Sequence, residues 1–156
     1  MALPSGMSAC AMCVEITTDG GGTTWVDNSD TLSVVTPGAQ TRASSDTYVF
    51  GEDIALLTWG KKGPMEITLR GVYTEGTGTT DTWNTMYTAH DVACGDDFDV
   101  RWAPLGCATT SQVFSTTPGA SKIISLTPPM GDAASSDALV FEAVVKTSDM
   151  TWATYA

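Results

Sequence analysis

Residues 64–106, PMEITLRGVYTEGTGTTDTWNTMYTAHDVACGDDFDVRWAPLG, decide the fold. At the start of this stretch Met65, Ile67, Leu69, Gly71 and Tyr73 alternate with Glu66, Thr68, Arg70 and Val72. Successive strand side chains point to opposite faces, so this is a strand with one apolar and one more polar face. Between Asp81 and Cys94 the period changes. Trp83, Met86, Tyr87 and His90 fall at i, i+3, i+4 and i+7, which predicts a helix with these four along its inner stripe. Asp81 is placed to cap that helix and Gly95 to stop it. After Gly95 alternation returns, with Phe98, Val100 and Trp102 on one side and Asp97, Asp99 and Arg101 on the other. Strands therefore bracket the one convincing helix of the chain.

Outward from this stretch the sequence reads as short strands and turns. Residues 1–9 are small and polar, a loose N-terminal arm. Residues 10–17 alternate as a strand, and Asp19-Gly20-Gly21-Gly22 is a turn. Residues 23–26 and 31–35 are strand candidates joined by Asp27-Asn28-Ser29-Asp30. That link lacks the carboxylate spacing and closing Glu of a calcium loop and reads as a turn. Residues 36–45 (TPGAQTRASS) have no apolar period and read as a long exposed loop, a kind of segment that often carries function. Residues 48–50 and the apolar run 54–59 (IALLTW) are further strand candidates. On the C-terminal side, strands are expected over 109–116 and 121–127 around Pro118-Gly119, a break at 128–132 (PPMGD), and a final strand over 139–146. Residues 148–156 form an expected arm whose Trp152 and Tyr155 would dock on this chain or a neighbour. About eight strands and one helix predict a mainly β fold over residues 1–156, a β-sandwich or half-barrel with the helix on its flank.

Composition narrows the function classes. The net charge is −11 with only seven Lys and Arg, so no basic surface exists to neutralise a nucleic-acid backbone. Lys61-Lys62 is an isolated pair in a turn. No run approaches the roughly 20 apolar residues of a membrane span, the N-terminus lacks the pattern of a signal peptide, and no N-x-S/T sequon occurs. The expectation is a protein made and kept in a cytoplasm, with no membrane binding of its own.

No reactive constellation stands out, and the chain is read as a non-enzyme with no cofactor. Cys10-x-x-Cys13 resembles half a zinc site, but Cys94 and Cys107 supply no matching half. The four cysteines are expected to be free thiols packed as small hydrophobes. His90, the single histidine, reads as a packed side chain on the helical stripe, and no third group orients it toward Cys94. Asp97 and Asp99 share a strand face and form a carboxylate pair on paper; a solvated acidic face explains them better than a glycosidase site.

A strand ending in LRGVYTEG, a short helix with an aromatic near its start, and a strand ending in VRWAPLG together resemble the major tail tube proteins of long-tailed (siphovirus-like) bacteriophages. The ending TSDMTWA is similar to their closing segment, and the likeness spans roughly residues 46–156. It implies a β-sandwich or half-barrel flanked by a helix, assembled as hexameric rings that stack into a tube. DNA would pass through the tube non-specifically on ejection. Tape measure and other tail proteins would be partners, and the protein would reside in the virion tail after assembly in the host cytoplasm. On this resemblance the loop bridging rings lies at 36–45, with Thr36, Gln40, Arg42 and Asp46 as contact candidates. Residues 1–9 and 148–156 would be arms, with Trp152 and Tyr155 making contacts. A bore for DNA should repel phosphate, so acids on an open strand face are the lumen candidates: Asp97 and Asp99 first, then Glu66 and Glu142. A tail terminator of the same fold and a β-sandwich binding or head-decoration module are the alternatives.

Overall fold

The computed structural model of the protein describes residues 11–51, 53–74, 81–108 and 110–155. Its strands are β1 (Cys13–Thr17), β2 (Val26–Asp27), β3 (Leu32–Pro37), β4 (Arg42–Thr47), β5 (Leu56–Lys62), β6 (Met65–Val72), β7 (Asp99–Ala103), β8 (Gln112–Thr116), β9 (Ser121–Met130), β10 (Val140–Thr147) and β11 (Met150–Thr154). Among the described residues there is one α-helix, α1 (Thr82–Asp91), between β6 and β7 in the chain. The fold is mainly β, as the sequence predicted. A five-stranded sheet in the order β11-β8-β7-β1-β2 packs on a four-stranded sheet in the order β3-β6-β10-β9, while β4 and β5 form a hairpin of their own. The strands that bracket α1 therefore do not pair with each other. They belong to opposite layers, and the helix spans the gap.

The four-stranded sheet follows the rule of one dry and one wet face. Along β6, Met65, Ile67, Leu69 and Gly71 are buried while Glu66 and Arg70 are exposed. β10 repeats the pattern with Phe141, Ala143 and Val145 inward. These side chains meet Val14, Ile16, Val100 and Trp102 of the other sheet. Gly71 is fixed by that packing, because a Cβ there would sit 2.6 Å from Phe141 Cζ.

The five-stranded sheet breaks the rule. All of β1 is buried, and Asp99 and Ala103 on β7 have no exposed surface. Trp25, Tyr155 and the turn at Gly119 cover the face that alternation assigns to water. The buried residues of α1 are Thr82, Met86 and Ala89, a stripe rotated by one residue from the predicted one. Tyr87 and His90 are exposed. The cause lies at the first turn, where buried Asn28 Nδ2 donates to Thr82 Oγ1 at 2.8 Å and draws that residue inward. Trp83 stays half-buried, its ring 5.5 Å from Phe141 and 6.4 Å from Tyr73. Asp81 occupies the cap position without a capping hydrogen bond from its side chain.

Two expected boundaries shift. β9 continues through Pro128 and Pro129 to Met130. It is an edge strand, so prolines are tolerated on its unpaired side. The expected C-terminal arm is instead strand β11, paired with β8 from Met150↔Thr116 to Thr154↔Gln112. The expected arm at 1–9 lies outside the described residues.

Candidate assembly surfaces

The first surface is the β4–β5 hairpin. Residues 36–45 are not a structureless loop: Thr36 ends inside β3, and Arg42 and Asp46 lie in β4, paired across to Lys62 and Leu57. The partner strand β5 supplies the backbone bonds that a sequence search for alternation in TPGAQTRASS could not reveal. Every described residue of both strands is exposed. Among the described residues none covers Tyr48 (80 % exposed), Phe50 (108 %), Ile54 (74 %) or Trp59 (69 %). A two-stranded hairpin is marginal alone, and a flat apolar one invites association. Its base, by contrast, is pinned. Gln40 Nε2 donates to Gly63 O and to Asp149 Oδ1, each at 3.2 Å, and Lys62 Nζ reaches Asp149 Oδ1 at 3.0 Å. Asp149 is held below the usual carboxylate range, mainly by the bond from Lys62.

The second surface is the wet face of the four-stranded sheet. Glu66 and Glu142 lie on it, as alternation predicted. Cross-strand register, however, sets Glu142 opposite Arg70 and Glu66 opposite Lys146, which in turn stands opposite Lys122. Arg70 Nη2 and Glu142 Oε2 are 3.0 Å apart. Lys122 Nζ also donates to the carbonyls of Cys94 and Gly95 beyond α1, at 3.1 and 2.7 Å. This face therefore carries two acids, Glu66 and Glu142, beside three bases, Arg70, Lys146 and Lys122, and is not the acid wall expected of it. The excess negative charge of the chain lies elsewhere.

Asp99, the leading lumen candidate together with Asp97, is fully buried and cannot line an open face. Its Oδ2 accepts from Gly119 N at 3.0 Å and its Oδ1 from Thr116 Oγ1 at 3.2 Å. The turn before β9 has folded over it. Asp97 is half-buried, its carboxylate pressed on Gly20, where a Cβ would meet Oδ2 at 2.7 Å. Burial pushes the Asp99 carboxyl above its ordinary value of 3.8, against the opposing pull of its hydrogen bonds. The folded protein then keeps a proton that the unfolded chain has released. Stability from this group is fully present below 3.8 and is lost as pH rises through the higher folded value. The stability of the wild type relative to Asp99→Asn is therefore expected to fall as pH is raised from about 3.5 toward neutral, read as paired urea melts. A difference that stays flat with pH would refute it.

The C-terminus is latched. Tyr155 OH donates to Glu15 Oε1 at 3.0 Å and accepts from Arg101 Nη2 at 3.1 Å, and Arg101 Nε donates to Glu15 Oε2. The Arg101 guanidinium lies between the rings of Trp25 and Tyr155, 4.4 and 4.7 Å from their centroids. Trp152, still 67 % exposed, stacks on Phe114, which stacks on Trp102. Both arm aromatics thus make contacts inside their own chain.

The cysteines differ from expectation. Cys13 and Cys107 form a disulfide and Cys94 is a free, exposed thiol; Cys10 lies outside the described residues. Cys13, Cys107 and Glu15 are the one group of possible metal ligands gathered among the described residues. Their sulfurs are bonded to each other and Glu15 is held by Arg101 and Tyr155, so they fit no ion.

Sequence reading missed the hairpin tip and the Glu15–Arg101 pair. A signal for the first existed: the apolar run IALLTW has only the polar RASSDT beside it, so nothing in its own pair can bury it. The second had none, because Glu15 and Arg101 meet through long-range register.

The sequence matches no protein-family model and no curated protein. Among solved structures, the chain is similar to a chain in the structure of the sheath/tube terminator of an extracellular contractile injection system, PVC, in its extended state. The TM-score is 0.72 at 16 % identity, covering 97 % of this chain and 99 % of that one. It is also similar to a chain in the structure of the tube-terminating cap of the anti-feeding prophage (TM-score 0.71, 16 % identity, 99 % and 95 % covered). A third similar structure is a chain in the tail of a gene transfer agent particle (TM-score 0.61, 12 % identity, 97 % and 100 % covered). At these identities the likeness establishes a shared fold, extending over nearly the whole chain.

Proposed function

We propose that this protein is a structural subunit of a phage-type tail tube. Copies assemble as stacked hexameric rings around a channel, with no catalytic step. The observation that carries this reading is the apolar hairpin left uncovered on a sandwich whose fold recurs in tube and terminator proteins. Sheet edges at β3 and β9 are available to pair with neighbouring copies, so a ring would remove edges that invite aggregation in a monomer. The wet face of the four-stranded sheet then lines the bore, with Glu66 and Glu142 alternating with Arg70 and Lys146. Asp97 is left as the remaining acid to place. Cargo slides past a face on which most charges are paired, with one basic side chain per copy in excess. In the phage case the cargo is DNA, with a tape measure protein preceding it and other tail proteins at the ends; the assembled protein resides in the virion tail.

Two of the similar structures are a cap and a terminator, which favours a second reading in which the chain closes a tube with a single ring. Negative-stain microscopy and sedimentation of the purified protein test both. Extended tubes are expected for a tube subunit and isolated rings for a terminator. A protein that stays monomeric at high concentration overturns both readings.

A further inference from the structure

The Cys13–Cys107 bond is what denies Cys13, Glu15 and Cys107 to a metal ion. Their sulfur and carboxylate ligand atoms lie within 4.8 Å of one another. Three observations bring the C-x-x-C motif to this cluster. Cys10 stands three residues before Cys13, the spacing common at zinc sites. Strand β1 starts only at Cys13, so strand alternation does not extend through the motif. Gly106, next to Cys107, takes a φ of 101°, and a Cβ there would meet Ala11 O at 3.4 Å. The turn that carries Cys107 therefore lies against the backbone between the two cysteines of the motif.

We propose that reducing this disulfide turns the cluster into a zinc site, with the thiolates of Cys10, Cys13 and Cys107 and the carboxylate of Glu15 as ligands. The inference does not depend on the tube reading. Reduction adds two electrons and two protons and gives two thiols; each thiol that ligates the metal releases its proton to solvent. Two thiolates at about 2.3 Å from one tetrahedral zinc stand roughly 3.8 Å apart, so a small side-chain rotation suffices to part the sulfurs. The register of β1 on β7, from Cys13↔Ala103 to Thr17↔Asp99, holds the backbone in place without the crosslink. Glu15 keeps its present partners. A carboxylate offers about four lone-pair positions, and Tyr155 and Arg101 occupy one on each oxygen. These two groups then orient Glu15 as the outer partners of metal ligands do. The ligand set carries more negative charge than zinc neutralises, and the Arg101 guanidinium offsets part of the surplus. Sulfur ligands select zinc over magnesium or calcium. Cys107 is half-buried, which leaves the metal a way in.

Cobalt as a spectroscopic stand-in tests the site on the full chain carrying Cys94→Ser, which removes the exposed thiol. The protein is reduced without air by a phosphine, which takes an oxygen from water to become its oxide, and is titrated with Co²⁺. One cobalt per chain is expected, with thiolate-to-cobalt charge-transfer absorption that Zn²⁺ then abolishes by displacement. Oxidised protein is expected to show no such absorption. Cys10→Ser, Cys13→Ser and Cys107→Ser are each expected to weaken cobalt binding by more than the roughly 10- to 100-fold that losing an outer partner costs. Glu15→Gln is expected to weaken it at least about tenfold and to keep the absorption. Zinc is also expected to raise the melting temperature of reduced wild type above that of the same protein in chelator, with no effect on the oxidised form. Reduced, folded wild type without thiolate–cobalt absorption, or binding undiminished in Cys107→Ser, overturns the site. Undiminished binding in Glu15→Gln overturns the carboxylate's place in it. None of these measurements reads assembly, so the tube reading stands or falls separately.

Discussion

Reducing the Cys13–Cys107 disulfide is expected to lower the unfolding free energy by about 4–5 kcal/mol. The bond closes a sequence separation of 94 residues with Cα atoms 5.4 Å apart, linking the start of β1 to the segment after β7. β1 and β7 are already paired in register from Cys13↔Ala103 to Thr17↔Asp99, so the native state needs the crosslink little to hold these strands together. Its effect falls on the unfolded chain, which loses conformational entropy that grows with the logarithm of the loop length closed. For a domain of this size the loss corresponds to a drop of roughly 10–18 °C in melting temperature. It also corresponds to a urea midpoint lower by about 2 M. Paired melts of oxidised and thiol-reduced protein, with free thiols counted in each, make the measurement. Equal midpoints in two samples that differ by two thiols would show that the loop closure contributes nothing.

The sequence expectation of four free thiols failed at this pair for a physical reason. Nothing local brings positions 13 and 107 together; only the long-range register of β1 on β7 does. The same limit explains the other differences. The alternation of β6 and β10 was legible because one face of their sheet is wet. β1 and β7 carry side chains of mixed polarity that are buried on both faces, and period-two reading assigned half of them to water. Asp99 was misplaced on that account, since the Gly119 turn that covers it comes twenty residues later. The helix was legible in position, and its inner stripe was not, because the Asn28–Thr82 bond and not hydrophobicity sets its rotation. Among assembly surfaces, the hairpin region was legible only as an exposed segment. Its strand pairing depends on β5, and its apolar tip looks like core until the rest of the chain is seen to leave it bare.

Glu15→Ala is expected to cost about 3 kcal/mol, toward the lower end for a broken buried pair because Arg101 retains some contact with water. The Glu15 side chain is 9 % exposed and that of Arg101 21 %. Removing the carboxylate leaves a largely covered guanidinium between two aromatic rings, with Tyr155 OH as its one remaining side-chain partner among the described residues, and it leaves that hydroxyl without its acceptor. The cost is the desolvation of an unpaired charge more than the loss of attraction, so it should vanish when both partners go. Glu15→Leu combined with Arg101→Met keeps the volume and the packing between Trp25 and Tyr155, and is expected to recover most of the stability. A double-mutant cycle by urea melts separates the two accounts, because a mere packing defect would add in the double variant while a stranded cation would not. Tyr155→Phe keeps the ring over Arg101 and removes only the hydroxyl, and is expected to cost about 1 kcal/mol, with faster backbone hydrogen exchange confined to β11. Exchange that rises equally across β1 and β7 would mean that Tyr155 supports the whole sheet and does not merely fasten its last strand. On the tube-subunit reading proposed above, the latch has a second role, because β11 is a sheet edge and its Trp152 remains two-thirds exposed. An edge held in place can meet a neighbouring copy at one geometry, whereas a released one would expose the unpaired side of β8 to any strand that arrives.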